Sequence, residues 1–497
     1  MSCSKKAVTI QKDARAGFLQ AAEIRQFLYR LCGVRGCRQF AGVRGQMNAV
    51  IVGCGKVGTE LAATLVGDGH NVSVIDNNQK ALDNAAEEID LLTLCGNGAD
   101  INMLRAAGLD KADIFIAVSP SDELNLLSCL IAERVGQVKT IARVRNPLYS
   151  KETDFLRQKL GLCKIINPEQ AAALEIFKLL QYPALSRIDS IARGAAIIFK
   201  LHIKAGSALV GRDLQGLRED TGCSFLACVA ERKNELFIPS GTFTFAAGDD
   251  VTFVSTQLQM QRMLNRLHIA NEPAKTCLIT GGGTIAYYLT EELLRHGLQV
   301  RIIENKPERC QLLSETLPDA QIVQGDGTDR RFLLRQGMQR ADAFVPLTGI
   351  DEENIVIATY AKNCSNAKVI TKVNRTDLYD VIDALDIDSV VFPKLICADI
   401  IAQYVRAQND GVGGTVETLY RYLDNRVEIV EFRAKEDPAL VDIPFSELNF
   451  KENLIVACMI RAGVFLVPSG RDYIEAGDSV IIVTLQKGIL ALHDILA

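Results

Sequence analysis

Apolar runs alternate with helix-like stretches along most of the chain, and this pattern predicts the fold. A wholly apolar run from Ala49 to Val52 is followed by a predicted helix from Val57 to Val66. Strands that alternate with helices build a parallel sheet, covered by helices on both faces and joined by right-handed crossovers. The alternation begins again near residue 277, so we predict an α/β protein with two Rossmann-like parallel-sheet domains.

A second pattern follows each of these α/β stretches. Ile197 to Ile203 and Val427 to Phe432 alternate like strands. Each leads to a Pro-Ser-Gly segment and then to Gly-Asp before a β-branched run, within 239–253 and 468–482. Turn residues ahead of a β-branched run indicate a turn that feeds a strand. We therefore predict that a small α+β domain of about 70 to 80 residues follows each parallel sheet.

These patterns divide the chain into segments. The predicted boundaries are 1–46 for a basic N-terminal extension, 47–167 and 275–393 for the α/β domains, and 185–268 and 414–497 for the small domains. Apolar, helix-like stretches around Pro168 to Arg187 and Pro393 to Arg406 are predicted to be packed crossover helices. Glu272-Pro273-Ala274 is the clearest linker between the two halves.

Each α/β half opens with a glycine-rich turn between its first strand and its first helix. At a constant offset of 228, four positions of the first half match four of the second: Gly53, Gly55, Gly58 and Asp76 match Gly281, Gly283, Ala286 and Glu304. Gly53 allows the tight turn, Gly55 leaves room for a pyrophosphate, and Gly58 lets the helix pack against the strand. The helix then directs its N-terminal amides at the phosphates. The pattern predicts two dinucleotide sites.

An acidic residue ends the second strand of each half. Asp76 and Glu304 are placed to accept both hydroxyls of an adenosine ribose, and a carboxylate there repels a 2′-phosphate. NAD(H) or an adenine nucleotide is therefore favoured over NADP(H). Glycines at such turns also serve packing alone, which is the alternative for a single copy. Repetition of the whole unit argues against that alternative.

Composition excludes other classes of site. The chain has 48% apolar and 23% charged residues, which is typical of globular proteins. No stretch approaches the ~18 uninterrupted apolar residues of a membrane-spanning helix. Fourteen cysteines and five histidines, without a CxxC pair, indicate a reducing compartment and argue against structural zinc. We predict no metal site.

Residues 1–46 differ in charge from the rest of the chain. They hold nine basic and two acidic residues, a net charge of +7, so that the remainder carries −12 of the overall −5. An acidic body argues against a nucleic-acid partner. Ala16 to Leu31 is compatible with a basic amphipathic helix, and the segment is Arg-rich and acid-poor like a transit peptide. Alternatively, Met47 is the natural start and the extension is a disordered leader.

The repeat continues well beyond the glycines, and it resembles the regulator-of-potassium-conductance (RCK) family. The resemblance covers Met47 to about Leu496. Its specific marks are the start Met47 to Gly58, the segments Val118 to Asn125 and Ile141 to Asn146, and the repeated Pro-Ser-Gly and Gly-Asp endings. The resemblance implies two tandem pairs, each an N-type Rossmann domain followed by a C-type domain.

By position, the resemblance also implies the residues that bind nucleotide. In the first half these are Gly53, Cys54, Gly55, Lys56, Val57, Asp76, Ser119, Pro120 and Arg143, together with the glycine-motif residue Gly58. In the second half they are Thr280, Gly281, Gly282, Gly283, Thr284, Glu304, Thr348, Gly349 and Lys372. Two departures weaken the second site. Ala286 replaces the third glycine, although the fingerprint permits alanine there, and Lys372 replaces a bidentate arginine with a point charge.

The resemblance further implies a function. Proteins of this kind are cytoplasmic, lie at the inner face of the plasma membrane, and gate a potassium-translocating membrane subunit without inserting into the membrane. They respond to NAD(H), and ATP or ADP are further ligands that it implies. We expect a homo-oligomer in which bound nucleotide changes the angle between lobes and so moves the membrane subunit.

An NAD-dependent oxidoreductase is the alternative function. It would need a general acid or base near the nicotinamide, usually a histidine or a lysine. His70 and His296 lie at predicted helix ends, where solvated or helix-terminal roles are expected. The other three histidines, at 202, 268 and 493, fall in or at the edges of the small domains, with no carboxylate spacing to orient them. Arg143 would suit a substrate carboxylate, but a phosphate or a neighbouring carboxylate is the simpler partner. We predict no catalytic residue and no enzyme activity.

Overall fold

The computed structural model describes residues 46–497 apart from 151, 270, 376–377, 379–380, 383–384, 386, 409–415, 423–425, 438, 488 and 490. The predicted basic extension, with its helix over 16–31, lies outside the described residues except for its last position.

The first half begins with a six-stranded parallel sheet in the order β3-β2-β1-β4-β5-β6. Its strands are β1 (Asn48–Val52), β2 (Asn71–Asp76), β3 (Leu92–Cys95), β4 (Ile114–Ala117), β5 (Lys139–Arg143) and β6 (Lys164–Ile166). Its helices are α1 (Lys56–Gly67), α2 (Gln79–Glu88), α3 (Ile101–Ala106), α4 (Asp122–Gly136), α5 (Pro147–Ser150), α6 (Thr153–Leu160) and the crossover helix α7 (Pro168–Gln181). This order places the ends of β1 and β4 side by side at the point where the winding reverses, where such sheets bind ligands.

The second half repeats this sheet in the order β14-β13-β12-β15-β16-β17. Its strands are β12 (Thr276–Thr280), β13 (Gln299–Glu304), β14 (Gln321–Gln324), β15 (Ala343–Pro346), β16 (Lys368–Lys372) and β17 (Ser389–Val391). Its helices are α10 (Thr284–Arg295), α11 (Pro307–Thr316), α12 (Arg330–Arg335), α13 (Asp351–Cys364) and the crossover helix α14 (Pro393–Gln408). Two Rossmann-like sheets were expected from the sequence, and that expectation is confirmed.

A five-stranded antiparallel sheet follows each parallel sheet, in the orders β10-β9-β11-β8-β7 and β18-β19-β22-β20-β21. The first consists of β7 (Leu185–Ile191), β8 (Ala196–His202), β9 (Phe225–Arg232), β10 (Glu235–Phe237) and β11 (Asp250–Ser255), with α8 (Leu214–Thr221) and α9 (Gln257–Arg266). The second consists of β18 (Val416–Tyr422), β19 (Val427–Arg433), β20 (Leu454–Arg461), β21 (Val464–Leu466) and β22 (Ser479–Thr484). The two sheets share one apolar cluster, in which Cys228 and Val254 of the first pack with Cys458 and Ile481 of the second.

The predicted Gly-Asp turns hold an ion pair between a partly exposed arginine and a buried aspartate in each antiparallel sheet. Asp249 accepts two hydrogen bonds from Arg232 on the neighbouring strand, at 2.6 and 2.7 Å, and the Asp249 side chain is fully buried. Asp478 is held in the same way by Arg461. Each arginine also donates to a backbone carbonyl in the loop that leads to the aspartate, that of Thr244 or that of Tyr473. The repeated Gly-Asp is therefore a turn whose carboxylate ties three segments together.

The two crossover helices pack against the opposite half of the chain. α7 follows the first parallel sheet but packs on α10 of the second half, where Ile176 and Phe177 share a core cluster with Leu289 and Leu293. α14 follows the second parallel sheet but packs on α1 of the first half. Its inward residues Cys397, Ala398, Ile401 and Val405 complete the core cluster of that sheet. The sequence predicted packed crossover helices, and the structure adds that the halves exchange them.

Candidate functional site

The glycine-rich turn has the same tight backbone in both halves. Gly53 and Gly281 adopt left-handed conformations, with φ of 108° and 91°. A Cβ added at Gly53 would lie 2.8 Å from the amide nitrogen of Ser119, and one at Gly281 would lie 2.8 Å from the carbonyl oxygen of Leu347. Both contacts are to backbone of the residues that follow the fourth strand. The first glycine of each turn therefore lets the first and fourth strands end close together.

The second glycine of each turn faces open space. A Cβ added at Gly55 or at Gly283 would meet no heavy atom within 4 Å. These residues are the N-caps of α1 and α10, and neither helix has a side-chain cap. In the first half, Asn78 caps α2 and Ser121 caps α4 through side-chain oxygens, whereas α11 and α13 of the second half also begin without a side-chain cap. The N-terminal amides of α1 and α10 are thus left for an anion outside the turn.

A carboxylate stands against each turn. The Asp76 carboxylate accepts from the backbone amides of Cys54 and Asn78, at 2.6 and 2.8 Å. The Glu304 carboxylate accepts from the amides of Gly282 and Lys306, at 2.7 and 2.9 Å. These bonds fix both acids beside the phosphate loop, at the end of the second strand. The predicted ribose position is therefore occupied by a carboxylate in each half.

The predicted residues after the fourth and fifth strands lie on the same edge. The Arg143 guanidinium donates to the carbonyl oxygen of Ser119 at 3.0 Å, and the Lys372 ammonium donates to that of Thr348 at 2.6 Å. Burial is the main cause of the lowered pKa of both cations. The exchange of arginine for lysine keeps this bond. Each half therefore brings its predicted residues to the carboxyl edge of its own sheet.

Two buried asparagines, which sequence reasoning did not assign to the site, hold this edge together. Asn125 accepts from the Ser119 amide at 2.8 Å and donates to the carbonyls of Ser119 and Arg143. Asn354 makes the matching bonds to Thr348 and Lys372. Their equal positions in the repeat were visible in the sequence. That repetition was the one signal that pointed to them.

The acids that open α4 and α13 bind backbone outside their own helices. Ser121 caps α4, its hydroxyl accepting from the Leu124 amide at 3.1 Å. Asp122 instead accepts from the amides of Arg145 and Asn146, at 2.9 and 2.8 Å. Asp351 likewise accepts from two amides after β16. These aspartates therefore fix the loop after the fifth strand of each parallel sheet.

The loop after the third strand also borders each site. The Gly96 amide donates to the Asp76 carbonyl at 2.9 Å, and a Cβ at Gly98 would lie 2.2 Å from Val52 at the end of β1. In the second half a Cβ at Gly327 would lie 3.0 Å from Thr280. The sequence showed this loop as part of the repeat, but its place beside the ribose carboxylate follows only from the strand order.

The two sites differ in their charges. The guanidinium of Arg309 on α11 donates to the Gly282 carbonyl at 2.6 Å, whereas alanine stands at the corresponding position 81 of the first half. Near the first site, the predicted site residue Pro120 is exposed. Its carbonyl oxygen accepts a hydrogen bond from the Arg145 guanidinium at 2.6 Å. A Cβ at Gly349 would meet open space. The second site therefore carries an arginine at its phosphate loop that its counterpart lacks.

One expectation about the histidines was wrong. His202 faces Asp250 on the paired strand β11, with its Nδ1 2.8 Å from the carboxylate, so the expectation of no orienting carboxylate was wrong. Asp250 lies 48 positions along the chain but directly opposite in register, which residue spacing cannot reveal. Of the two roles expected for His70, the helix-terminal one fits: its backbone amide donates to the Leu65 carbonyl of α1 at 3.0 Å, and the residue is buried, which lowers its pKa. Its Nδ1 lies 3.3 Å from the Met47 amide.

Models of two domain families match this chain, each of them twice. The TrkA-N domain matches residues 49–168 and 277–393, and the TrkA-C domain matches residues 199–268 and 429–497. Together these matches cover most of the chain. Among the described residues, we find no helix that is both long and apolar enough to cross a membrane.

Several relatives match nearly end to end. The Trk system potassium uptake protein TrkA of Haemophilus influenzae is 28% identical over 89% of this chain and 96% of its own length. A TrkA homolog of Archaeoglobus fulgidus is 29% identical over 90% of this chain and 100% of its own length. Homolog 2 of Methanosarcina mazei is 29% identical over 90% and 99%. All three are named for potassium uptake and none for an enzymatic reaction.

Solved structures share the fold. The RCK domain of GsuK superposes with a TM-score of 0.59 at 18% identity, covering 92% of this chain and 96% of that one. The GsuK channel bound to NAD superposes with a TM-score of 0.58 at 18% identity, covering 92% and 80%. At this identity the likeness shows the common architecture of tandem Rossmann-like and antiparallel sheets.

Proposed function

Because this chain belongs to the TrkA family, we propose that it is a nucleotide-sensing regulatory subunit of a Trk-type potassium uptake system. In this proposal it is a cytoplasmic homo-oligomer at the inner face of the plasma membrane. It binds NAD(H), and also ATP or ADP, and gates a TrkH/TrkG-like potassium-translocating subunit. The predicted domain boundaries and site residues are part of the same proposal.

The observation that supports the proposal most directly is the same in both halves. Uncapped helix amides lie beside a carboxylate at the winding reversal of a parallel sheet. Bare amides suit a diphosphate, and a carboxylate fixed at the end of the second strand suits the ribose hydroxyls. NAD is the ligand named for the GsuK channel of the same fold. An oxidoreductase would need only one such site, whereas this chain repeats the whole arrangement.

The proposed mechanism follows from the layout of the edge. A nucleotide on the phosphate loop extends over the residues after the fourth and fifth strands, which Asn125 and Asn354 hold in place. The opposite half reaches this edge through its exchanged crossover helix. A ligand that prefers one angle between the halves therefore shifts the equilibrium between two arrangements. A hundredfold preference corresponds to about 2.7 kcal/mol, enough to move a balanced gate.

The first test removes both ribose carboxylates. We expect Asp76→Ala with Glu304→Ala to weaken NADH and ATP binding by roughly tenfold or more, because charge-assisted bonds to the ribose are lost. Isothermal titration calorimetry on the full chain measures both affinities, and a thermal melt checks folding. The matched control is Asp90→Ala with Asp319→Ala, which removes two exposed carboxylates away from the turns.

Two outcomes would contradict the proposal. Unchanged affinities in a folded double variant would show that the turns do not hold the nucleotide. Loss of the reduced-nicotinamide absorbance with a substrate would favour the oxidoreductase instead. Capture of the membrane subunit by the native chain, with a nucleotide-dependent change in potassium flux in proteoliposomes, is the expected result.

A further inference from the structure

Three equivalent positions beside the glycine-rich turns differ between the two halves. The first half has Cys54, Ala81 and Ala85, and at the same offset of 228 the second half has Gly282, Arg309 and Leu313. The Cys54 thiol donates to the Ala81 carbonyl at 3.5 Å. A Cβ at Gly282 would lie 2.5 Å from the Leu313 side chain, so Leu313 occupies the space that a side chain at Gly282 would need. Arg309 is therefore part of a local repacking of the second site.

Arg309, in the first turn of α11, is anchored beside the ribose carboxylate. Its Nε donates to the Gly282 carbonyl at 2.6 Å, while the Gly282 amide donates to the Glu304 carboxylate at 2.7 Å. One residue thus bonds both side chains, which places the guanidinium next to the position proposed for the ribose hydroxyls. Arg309 is partly exposed, and its two terminal amines have no hydrogen-bond partner among the residues that the structure describes. The guanidinium is therefore held through its Nε.

A purely structural role for Arg309 would be to satisfy the Gly282 carbonyl. The first half shows that the turn forms without such an arginine. Gly53 and Gly281 have the same left-handed backbone, with φ of 108° and 91°, although alanine stands at position 81. The bond to Gly282 alone thus does not explain why the second half has an arginine there.

The base of a nucleotide would lie close to this guanidinium. A ribose carries its phosphates at C5′ and its base at C1′, so a ribose that bonds Glu304 directs its base away from the phosphate loop. In the strand order β14-β13-β12, that direction leads past the end of β13 toward the loops that open α11 and follow β14. The planar guanidinium of an arginine stacks on the face of a nucleobase, with a cation–π attraction in addition. A purine offers a larger face than a pyrimidine.

We propose that Arg309 stacks on the base of the nucleotide in the second-half site and makes that site selective for purine nucleotides, adenine nucleotides among them. The first-half site, with Ala81, holds its ligand through the ribose and the phosphates and discriminates less between bases. This inference rests on the proposed function and deepens it, because it assigns a specificity-determining residue to one of the two sites.

The test compares two ligands that differ only in the base. ADP and CDP share the ribose and the diphosphate, and each is titrated calorimetrically into the full chain carrying Asp76→Ala, which is expected to silence the first-half site. Arg309→Gln is expected to weaken ADP by roughly tenfold and CDP by less than about threefold. Arg309→Lys keeps the charge without the planar face, and it is expected to lose the preference for ADP as well.

A matched control removes an arginine elsewhere. Arg262→Gln, at an exposed position of α9, is expected to leave both affinities unchanged. A thermal melt of each variant checks that the chain is folded.

The first-half site offers the converse experiment. In a Glu304→Ala background, Ala81→Arg is expected to raise ADP affinity by roughly fivefold and CDP affinity by less than about twofold. The Cys54 carbonyl corresponds to that of Gly282 in the repeat, so the new arginine has an equivalent acceptor.

The outcomes separate this inference from the proposed function. If ADP and CDP weaken equally in Arg309→Gln, or if Arg309→Lys keeps the full preference for ADP, the arginine acts through its charge or through the turn, and the stacking assignment is wrong while nucleotide sensing stands. If ADP, ATP and NADH all fail to bind the native chain, the proposed function itself fails.

Discussion

Two glycines of one turn, three residues apart, have opposite roles. A Cβ at Gly58 would lie 1.8 Å from the Gly53 carbonyl oxygen, whereas a Cβ at Gly55 would meet no atom within 4 Å. The motif therefore contains one glycine that serves packing and one that leaves room for a ligand. The alternative in which glycine serves packing alone describes Gly58 but not Gly55.

Alanine substitutions separate these roles. Gly58→Ala is expected to lower the free energy of unfolding by about 2 kcal/mol, because backbone must move to admit the methyl group. Gly55→Ala is expected to leave stability nearly unchanged and to weaken nucleotide binding, since its methyl points toward the proposed pyrophosphate. Urea unfolding and calorimetry measure the two effects. Equal loss of stability in both variants would contradict the assignment.

The residues that the sequence revealed are those whose backbone role requires one residue type. Glycine at a turn with positive φ and an acid at a strand end follow from local geometry, so Gly53 and Asp76 were found directly. Asn125 was not assigned to the site, because a neutral amide in an acidic helix start resembles an ordinary capping residue. The bond from the Tyr288 hydroxyl to the Arg145 carbonyl was not predicted, because the two residues are 143 positions apart in the chain. Contacts between halves leave no local pattern.

At the level of elements, periodicity predicted nearly every strand and helix near the sites. α1 extends one residue beyond each end of the predicted helix. α7 lies within its predicted crossover stretch, and α14 extends two residues beyond the end of its own. The exchange of these helices was not predicted. An apolar helix face fits any complementary groove, so the pattern states that α14 is buried but does not state which sheet buries it.

The exchange gives a test at the same scale. Ile401 of α14 is fully buried in the core cluster of the first parallel sheet. Ile401→Ala is expected to cost about 3 kcal/mol through the lost burial and the cavity. Hydrogen exchange should show faster opening of α1 than of α10. Val356→Ala, at a position 67% exposed, is the control and should change stability by less than about 0.5 kcal/mol.

The ion pairs of the antiparallel sheets predict a pH dependence. Burial alone would raise the pKa of Asp249, but the bonds from Arg232 and the Ala246 amide outweigh it and hold that pKa below its usual value. A depressed pKa contributes stability above the unfolded value, near pH 4, that is lost as the pH falls through the folded value. Asp249→Asn is expected to destabilise the chain by about 2 kcal/mol at pH 7 and to flatten its stability profile below pH 4. A variant with the native acid profile would contradict this.

At the scale of the molecule, the exchanged helices connect the two nucleotide sites. Glu169 on α7 acts on Arg143 of the first site and on Lys372 of the second. A ligand that moves one crossover helix therefore changes the surroundings of the other site. We infer that the sites are coupled through the interface between halves.

Coupling predicts reciprocal affinities. NADH is expected to change the affinity of the chain for ATP by roughly fivefold or more, and ATP should change the affinity for NADH by the same factor. Titrations of each nucleotide, with and without saturating amounts of the other, measure both factors. Glu169→Gln should reduce the coupling. Independent binding in the native chain would contradict it.

The helix exchange also constrains how small a working unit can be. A polypeptide ending near residue 269 would keep α7 but lose the groove of α10 that receives it, and its own α1 would lack the apolar cover of α14. Two such fragments could bury these apolar surfaces by packing α7 of each fragment on α1 of the other, as in a domain-swapped dimer. The tandem chain thus resembles a dimer whose two subunits are covalently linked. Their sequences can diverge while the two subunits stay associated.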